Sequence, residues 1–385
     1  MSKIIDKAFE KGQFRLYYQP KINLHTKRVE SAEALIRIES GDEVIMPLSF
    51  IPQAEKSGAI VDIDRWVFNR LIEDSRYISM LSQEDIIISF NVSSSHFNQP
   101  CFLENLENIF NFTTDFLSQF EIELTEWSLI GDIQDSIEKM NWLKKKGFKL
   151  ALDDFGTGFS SLLYLKDFPI DTIKIDKAFI DGIKKVDKTI KITESIIFLA
   201  KKLELNIVAE GVESASQVLW LKENGCDEIQ GYYYSKPLPI DEFVRFVKAV
   251  NKSEIKNEYI SWSEKYSIDN YAFDTHHMII ANILNKLYDE LRDRDMDTKT
   301  EVKIYFSLLD RYMDIHFKAE EEYMQEIGFK DIKAHIQAHR EFKNLLKEFS
   351  INLSDSTQKN SYNLFKILKE WFLNHELEMD KKFIV

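Results

Sequence analysis

Seven side chains able to ligate a metal close the 385-residue sequence at distinctive spacings: His277, His316 with Glu320, His335 with His339, and His375 with Asp380. Residues four apart on a helix share a face, so His316/Glu320 and His335/His339 each offer paired ligands, with single and five-apart contributions from two further helices. Five imidazoles and two carboxylates suffice for two first-row ions, the carboxylates bridging and one position open to a small ligand. His276 lies one position off this stripe and reads as a structural residue, as do His25 and His96.

A second set is spread along the first two thirds of the chain. Glu33, Asn91, Glu123, Asp153 with Asp154, Lys174, Glu210 and Gln230 each stand at or near the end of a short apolar run. In a barrel those ends share one mouth, where chemistry is done. One such residue is as easily a solvated cap, but so many in one register are not. Converging carboxylates, an amide and a lysine can hold two oxygen-loving divalent ions, Mg²⁺ or Mn²⁺, with Asp153 able to bridge them. Phosphodiester hydrolysis is the natural use, because ions roughly 3.5 to 4 Å apart activate a shared water and stabilise entering and leaving oxygens. Lys174 would neutralise transition-state charge or orient the water.

The elements that must position these residues follow from periodicity. Eight apolar runs, Leu16 to Ile22, Ala32 to Ile38, Ile86 to Val92, Glu121 to Thr125, Phe148 to Asp153, Thr172 to Asp176, Asn206 to Ala209 and Ile229 to Tyr234, alternate with amphipathic segments. The first two are too close in sequence for a parallel crossover and must pair antiparallel. Helices are expected over Asp64 to Leu81, Asp132 to Lys146, Lys188 to Leu203 and Ser216 to Asn224, with Gly147 and Gly225 as stops. The polar stretch NKSEIKNEY follows Val250, and beyond it Phe273 to Arg292, Thr300 to Glu326, Lys333 to Phe349 and Gln358 to Phe383 read as an up-and-down bundle. The expected fold is an α/β (βα)8 TIM-like barrel with one antiparallel strand, residues 1–250, a linker, 251–261, and an all-α four-helix bundle, 262–385.

The balance of 50 basic against 64 acidic residues, formal charge -14, argues against a nucleic-acid polymer as partner. Two cysteines, Cys101 and Cys226, outside any metal-binding spacing, indicate a reducing compartment and a packing role. With no apolar run of about 18 residues and a charged amphipathic start, a cytoplasmic protein without a membrane segment is the expectation.

The segment Glu33-Ala34-Leu35, with Arg37 two beyond, resembles the EAL family of cyclic di-GMP phosphodiesterases. DDFGTGFSSL at Asp153 to Leu162, KID at Lys174 to Asp176, AEGVE at Ala209 to Glu213 and QGYYYSKPL at Gln230 to Leu238 resemble it in order. The resemblance implies a barrel that linearises cyclic di-GMP to pGpG, with metals on Glu33, Asn91, Glu123, Asp153, Asp154 and Glu210. Glu33, Lys174 and Glu210 then fall at catalytic positions, Gln19, Leu35, Arg37 and Gln230 at substrate contacts, and Glu126 beneath the loop Phe155 to Ser161. Ile38 departs from the tryptophan frequent there. Ser40-Gly41-Asp42-Glu43 lacks a full GGDEF segment, so nucleotide synthesis is not expected. Pairing as a homodimer is a further implication.

The C-terminal part is similar to the hemerythrin family, with Trp262 and Tyr266 ahead of DTHH, HFKAEEEYM at His316 to Met324, HIQAH at His335 to His339, and WFLNHELEMDKKF. That resemblance implies two non-haem irons with an oxo or hydroxo bridge, His335, His339 and His375 on one and His277 and His316 on the other, Glu320 and Asp380 between them, and dioxygen as ligand. Asp269 stands where a glycine is usual, and Phe372 where a leucine commonly borders the oxygen pocket.

Together these readings describe a cyclic di-GMP phosphodiesterase set by dioxygen, nitric oxide or redox state at a diiron bundle. The rivals are a receptor that binds the nucleotide without cutting it, and an oxygen or iron carrier.

Overall fold

A computed structural model of the chain describes residues 3–111, 114–129, 132–156, 165–184, 188–251, 260, 266–292, 298–355 and 358–383. They form two compact units: Met1–Val212, Leu221–Gly231 and Lys236–Val244 in the first, and Glu213–Trp220, Tyr232–Ser235 and Arg245–Val385 in the second. Most of the expected linker 251–261, Trp262 and most of the loop Phe155 to Ser161 lie outside the described residues.

In the first unit, β1 (Phe14–Asn23) and β2 (Val29–Ser40) form an antiparallel hairpin with Gln19 opposite Glu33 and Tyr17 opposite Leu35. The Asn23 side-chain oxygen accepts the backbone N–H groups of His25 at 2.8 Å and Thr26 at 3.0 Å, which folds the turn. A short β3 (Glu43–Ile45) extends the edge of β2. From the other side of β2 the sheet runs parallel through β4 (Ile87–Asn91), β5 (Phe120–Thr125), β6 (Lys149–Phe155), β7 (Thr172–Ile175), β8 (Asn206–Ala209) and β9 (Glu228–Ile229). The barrel closes through an antiparallel pairing of β9 with β1, and β10 (Leu238–Pro239) adds a rung beside β1. All eight expected strands are present, and the antiparallel one is β1. The short edge strands, β3 with 3 residues and the proline-ended β10 with 2, carry too little alternation to be read from sequence.

The last run is shorter than expected, because β9 stops at Ile229 instead of continuing to Tyr234. Gly231 explains the stop: a Cβ there would lie 2.0 Å from the Val212 carbonyl oxygen, so the chain crosses against backbone rather than extending a strand. β1 is buried along most of its length, and its Pro20 sits next to a register shift at Lys21/Ile22, where a missing donor is tolerated.

Outside the strands, α1 (Ile60–Ser82) buries Ile63, Val67, Phe68 and Leu71 at three and four spacing. α2 (Ile133–Lys146) starts where Asp132 accepts the Asp135 N–H at 3.1 Å and ends at Gly147, φ 113. α3 is Lys188–Lys202. Phe110 anchors the aromatic layer behind the sheet, 5.2 Å from Phe120 and 6.2 Å from Phe90 between ring centroids. Cys226 is buried, but Cys101 is exposed and begins a short helix, so its packing role is not observed.

The second unit is built on α4 (Tyr271–Arg292), α5 (Thr298–Glu326), α6 (Ile332–Asp355) and α7 (Gln358–Glu378), each packed on the next and the last on the first. Asn270 caps α4, and the preceding Asp269 takes φ 59, the left-handed backbone that a glycine adopts without strain. α7 ends at Glu378, not at Phe383, and Asp380 opens a 3-10 turn, Asp380–Lys382. The break is required: on a continuous helix a residue five positions on points about 140° away from its partner, so Asp380 could not join His375. Fully buried Phe383 pins the turn against Phe273 and His335. No helix among the described residues is long and apolar enough to cross a membrane.

Candidate metal centres

At the mouth of the barrel, the strand ends bring the expected residues together. Glu33 on β2, Glu123 on β5, Asp153 on β6 and Glu210 just beyond β8 surround the ammonium of Lys174 on β7, at 3.8, 2.6, 3.1 and 2.6 Å. Asn91 at the end of β4 donates to Glu33 Oε1 at 2.7 Å, and Gln230 donates to Glu33 Oε2 at 2.6 Å and to Gln19 Oε1 at 3.1 Å. Asp153, Asp154 and Glu210 present oxygens within 4.8 Å of one another. Asp154 reaches this position through a left-handed φ of 54 beside an irregularity in the β6–β7 pairing.

The electrostatics follow from burying many carboxylates around few cations. Burial pushes the Glu210 carboxyl up to about 8; Lys174 opposes this, while Asp153, Glu33 and Glu123 add to it. For Glu123, burial acts upward, but the ammoniums of Lys174 and Lys21 prevail and hold the carboxyl down at about 2. Burial also raises Asp154, aided by Asp153 and Asp176. The donors are all oxygens of carboxylates and amides, and the buried Gln230 Oε1 finds no hydrogen-bond partner among the described residues. Such a set fits hard divalent ions of the Mg²⁺ or Mn²⁺ type.

Beside this mouth a cavity of ≈ 320 Å³ is lined by Leu35, Pro47, Ile60, Asp64, Asn91 and Ser94 among others. Arg37 is buried, with its guanidinium 5.8 Å from the centre of the Tyr17 ring. Glu126 accepts the Gly156 backbone N–H at 2.7 Å, which ties it to the start of the loop after Asp154. Gly156 has φ +92 and a Cβ would meet Phe179 at 2.9 Å, so this approach needs glycine. His96 is structural: fully buried, it sits 3.2 Å from Asp64 and stacks on Phe68. His25 lies near the surface, 3.6 Å from Asp227.

In the bundle the seven ligand candidates converge, buried, as two groups that share Glu320: one with His335, His339 and His375, the other with His277, His316 and Asp380. The carboxylates divide their oxygens between the groups. Glu320 Oε2 lies 3.3 Å from His335 and 3.1 Å from His339, while Oε1 lies 3.6 Å from His277 and 3.5 Å from His316. Asp380 Oδ1 lies 3.3 Å from His335 and 3.1 Å from His375, and Oδ2 lies 3.3 Å from His277. His375 Nε2 is also 3.1 Å from His335 Nε2 and 3.2 Å from His339 Nε2. Three imidazole nitrogens cannot all donate to one another, and buried Glu320 Oε1 and both Asp380 oxygens lack a hydrogen bond among the described residues. This mixed nitrogen and oxygen donor set fits a pair of first-row transition ions.

Burial would lower His375, but Asp380 and Glu320 hold it up at about 9; burial carries His316 down to about 3 against the pull of Glu320. Phe317 stacks on His339 at 3.9 Å, Trp371 stacks on His375 at 4.4 Å, and Phe372 lies 6.3 Å from His277.

Two contacts here were not read from sequence. Glu321 accepts from His339 Nδ1 at 2.9 Å, which leaves the Nε2 lone pair directed at the centre. His276 joins neither group, as expected, and its Nε2 donates to the Tyr233 carbonyl at 2.8 Å while the two rings stack at 4.1 Å. The run of three glutamates after Ala319 hid the first, since any of them could face solvent, and the second pairs residues 43 apart.

Several known proteins resemble this chain. The cyclic di-GMP phosphodiesterase NbdA of Pseudomonas aeruginosa is 34% identical over 250 residues, covering 65% of this chain and 32% of NbdA. The probable cyclic di-GMP phosphodiesterase PdeN of Escherichia coli is 33% identical over 244 residues, 63% of this chain and 46% of PdeN. The chain therefore spans less than half the length of these relatives. A solved structure of the PaMucR phosphodiesterase in complex with c-di-GMP superposes with a TM-score of 0.58 at 33% identity, covering 62% of this chain and 97% of that one. Residues 269–384 match the family model of the hemerythrin HHE cation binding domain, and residues 2–237 match that of the EAL domain. The chain thus belongs to the EAL domain family and continues into a hemerythrin-type domain.

Proposed function

We propose that the barrel hydrolyses cyclic di-GMP to pGpG and that the bundle, holding two non-haem irons, sets the rate according to dioxygen or redox state. The observation that supports the hydrolytic reading most is the ring of Glu33, Glu123, Asp153 and Glu210 around Lys174, with Asp154 alongside. Two divalent ions, when bound, supply the Lewis acidity that activates water and steadies the phosphoryl oxygens. The chain's own part is positional. Glu33 is held from two sides by Asn91 and Gln230, so its carboxylate does not reorient as substrate arrives. The Lys174 ammonium, kept charged by its neighbours, offsets negative charge that develops on the phosphate. Leu35, Arg37 and Gln19 lie along the β1–β2 rungs next to Glu33, where a nucleotide would lie across the mouth. Glu126 holds the Gly156 backbone N–H, two residues beyond Asp154.

Division of the chain into a barrel, residues 1–250, a linker, 251–261, and a bundle, 262–385, belongs to the same proposal. The iron pair, when bound, supplies the redox change and the ligand position. His277 is bonded in sequence to His276, which grips the Tyr233 carbonyl, and Tyr233 follows Gln230 by three residues in the chain. Were α4 to move with iron state, the displacement would reach along the chain the segment that leads out of Gln230; coupling of this kind is typically worth about 1–3 kcal/mol.

The test uses iron-loaded full-length protein with Mg²⁺ or Mn²⁺ and cyclic di-GMP, product identified by chromatography, for reduced, oxidised and gas-exposed samples. Formation of pGpG at a rate that differs between iron states is expected. Binding without turnover would establish a receptor instead, and turnover indifferent to iron state would remove the regulatory half.

A further inference from the structure

Lys21 is a cation that no metal-ligand pattern includes. It lies in β1 with no exposed surface, deep under the mouth of the barrel. Its Nζ is 2.8 Å from Ser89 Oγ, 3.1 Å from Glu123 Oε1 and 3.7 Å from Glu121 Oε2. The backbone aims it there: Pro20 leaves β1 one donor short, and the register shift at Lys21/Ile22 follows directly. Around it, Ser89 Oγ reaches the Ala32 carbonyl at 3.4 Å and Glu121 Oε1 accepts from Thr172 at 2.6 Å, so the floor is hydrogen-bonded on several sides.

Glu123 is therefore clamped between two ammoniums, Oε1 on Lys21 below and Oε2 on Lys174 above at 2.6 Å. A carboxylate free to turn could chelate one ion with both oxygens; one whose lower oxygen is already engaged offers a single oxygen upward. The desolvation cost of burying the lysine is offset by these carboxylates.

We propose that Lys21 is a positioning residue of the barrel site, which fixes Glu123 from beneath so that only Oε2 faces a divalent ion at the mouth, and so sets the affinity for that ion. This rests on the reading that the mouth binds Mg²⁺ or Mn²⁺. Lys21 touches neither substrate nor ion; it acts through Glu123, as outer partners of ligands do elsewhere.

The experiment is a Mn²⁺ titration of iron-loaded full-length protein, free Mn²⁺ followed by electron paramagnetic resonance without substrate, alongside the Mn²⁺ dependence of turnover. The variants are Lys21→Met and, because Lys21→Met leaves Glu121 buried without its cation, the double variant Lys21→Met/Glu121→Gln, which removes that charge too. Expected is Mn²⁺ binding weakened about 10-fold or more in either folded variant, with KM for cyclic di-GMP unchanged and kcat recovered at saturating Mn²⁺. Unaltered Mn²⁺ affinity in a folded variant overturns the proposal, as does a kcat loss that excess Mn²⁺ leaves in place. Asp153→Asn serves as the reference: if it, like the wild type, shows no barrel-dependent Mn²⁺ binding, it is the underlying reading of the mouth that has failed.

Discussion

The barrel mouth and the bundle centre solve the same problem, buried carboxylates, with different counter-charges. At the mouth, Lys174 and Lys21 lie against the acids, and ammoniums of this kind stay charged across the physiological range. In the bundle, among the described residues, the ion-pair partners of Glu320 and Asp380 are imidazoles. The mouth is also partly open, with Asn91 exposed and Asp154 and Glu210 half-buried, whereas every bundle ligand is buried. A centre with its own fixed cations keeps its shape while ions and substrate exchange. A centre balanced by imidazole nitrogens needs its metals to satisfy it. The first arrangement suits turnover, the second a resident cofactor.

If that contrast holds, damage to one centre leaves the other intact. The largest effect is expected for Glu33→Ala, which removes the acceptor of both Asn91 and Gln230 as well as a proposed metal ligand. Hydrolysis should fall by about 10³-fold or more, with the iron absorption spectrum unchanged. A variant that lost both would show the centres to be one cooperative structure. Conversely, Asp380→Ala deprives both ligand groups of the carboxylate they share with Glu320. Iron content, measured by elemental analysis, should drop below about one per chain, while turnover persists without its dependence on iron state.

Much of this contrast was legible in the sequence, and the exceptions have physical reasons. The barrel acids stood out because strand ends are where polarity interrupts apolar runs, although Asp154 on β6 reaches its place only through a left-handed backbone beside an irregular pairing. The helix pairs His316/Glu320 and His335/His339 followed from the 3.6-residue turn. Lys21 did not stand out, since a lysine within an alternating strand reads as the solvent face, and only closure of the barrel puts both faces of β1 inside. Asp380 was assigned to a helix that in fact ends at Glu378, because a broken turn leaves no periodic trace over five residues. The end of β9 depended on how near Gly231 comes to Val212, a contact between segments 19 residues apart that no local pattern encodes.

A finer test of the bundle lies in Glu321, whose bond to His339 Nδ1 orients the ring. Glu321→Gln keeps an acceptor but loses the charge, and iron affinity should weaken by about 10 to 100-fold in competition with a calibrated chelator, with the helical content unaltered. Because Glu321 is nearly a third exposed, no global loss of stability is expected from the change.

The smallest effect sharpens the comparison on the barrel side, through pH. Burial, with repulsion from Asp153, Glu33 and Glu123, holds the Glu210 carboxyl at about 8 in spite of Lys174, so below that pH the group carries a proton that an incoming cation must displace. Metal binding then releases that proton, and by linkage the half-saturating Mn²⁺ concentration should fall as pH rises, by at most about tenfold per unit, and level off above about pH 8. Glu210→Gln cannot take up or release a proton and should flatten the profile even where its affinity is poor. If the wild-type profile is already flat between about pH 6 and 8, Glu210 is ionised before the ion arrives, and the lysines neutralise the mouth more completely than its geometry implies.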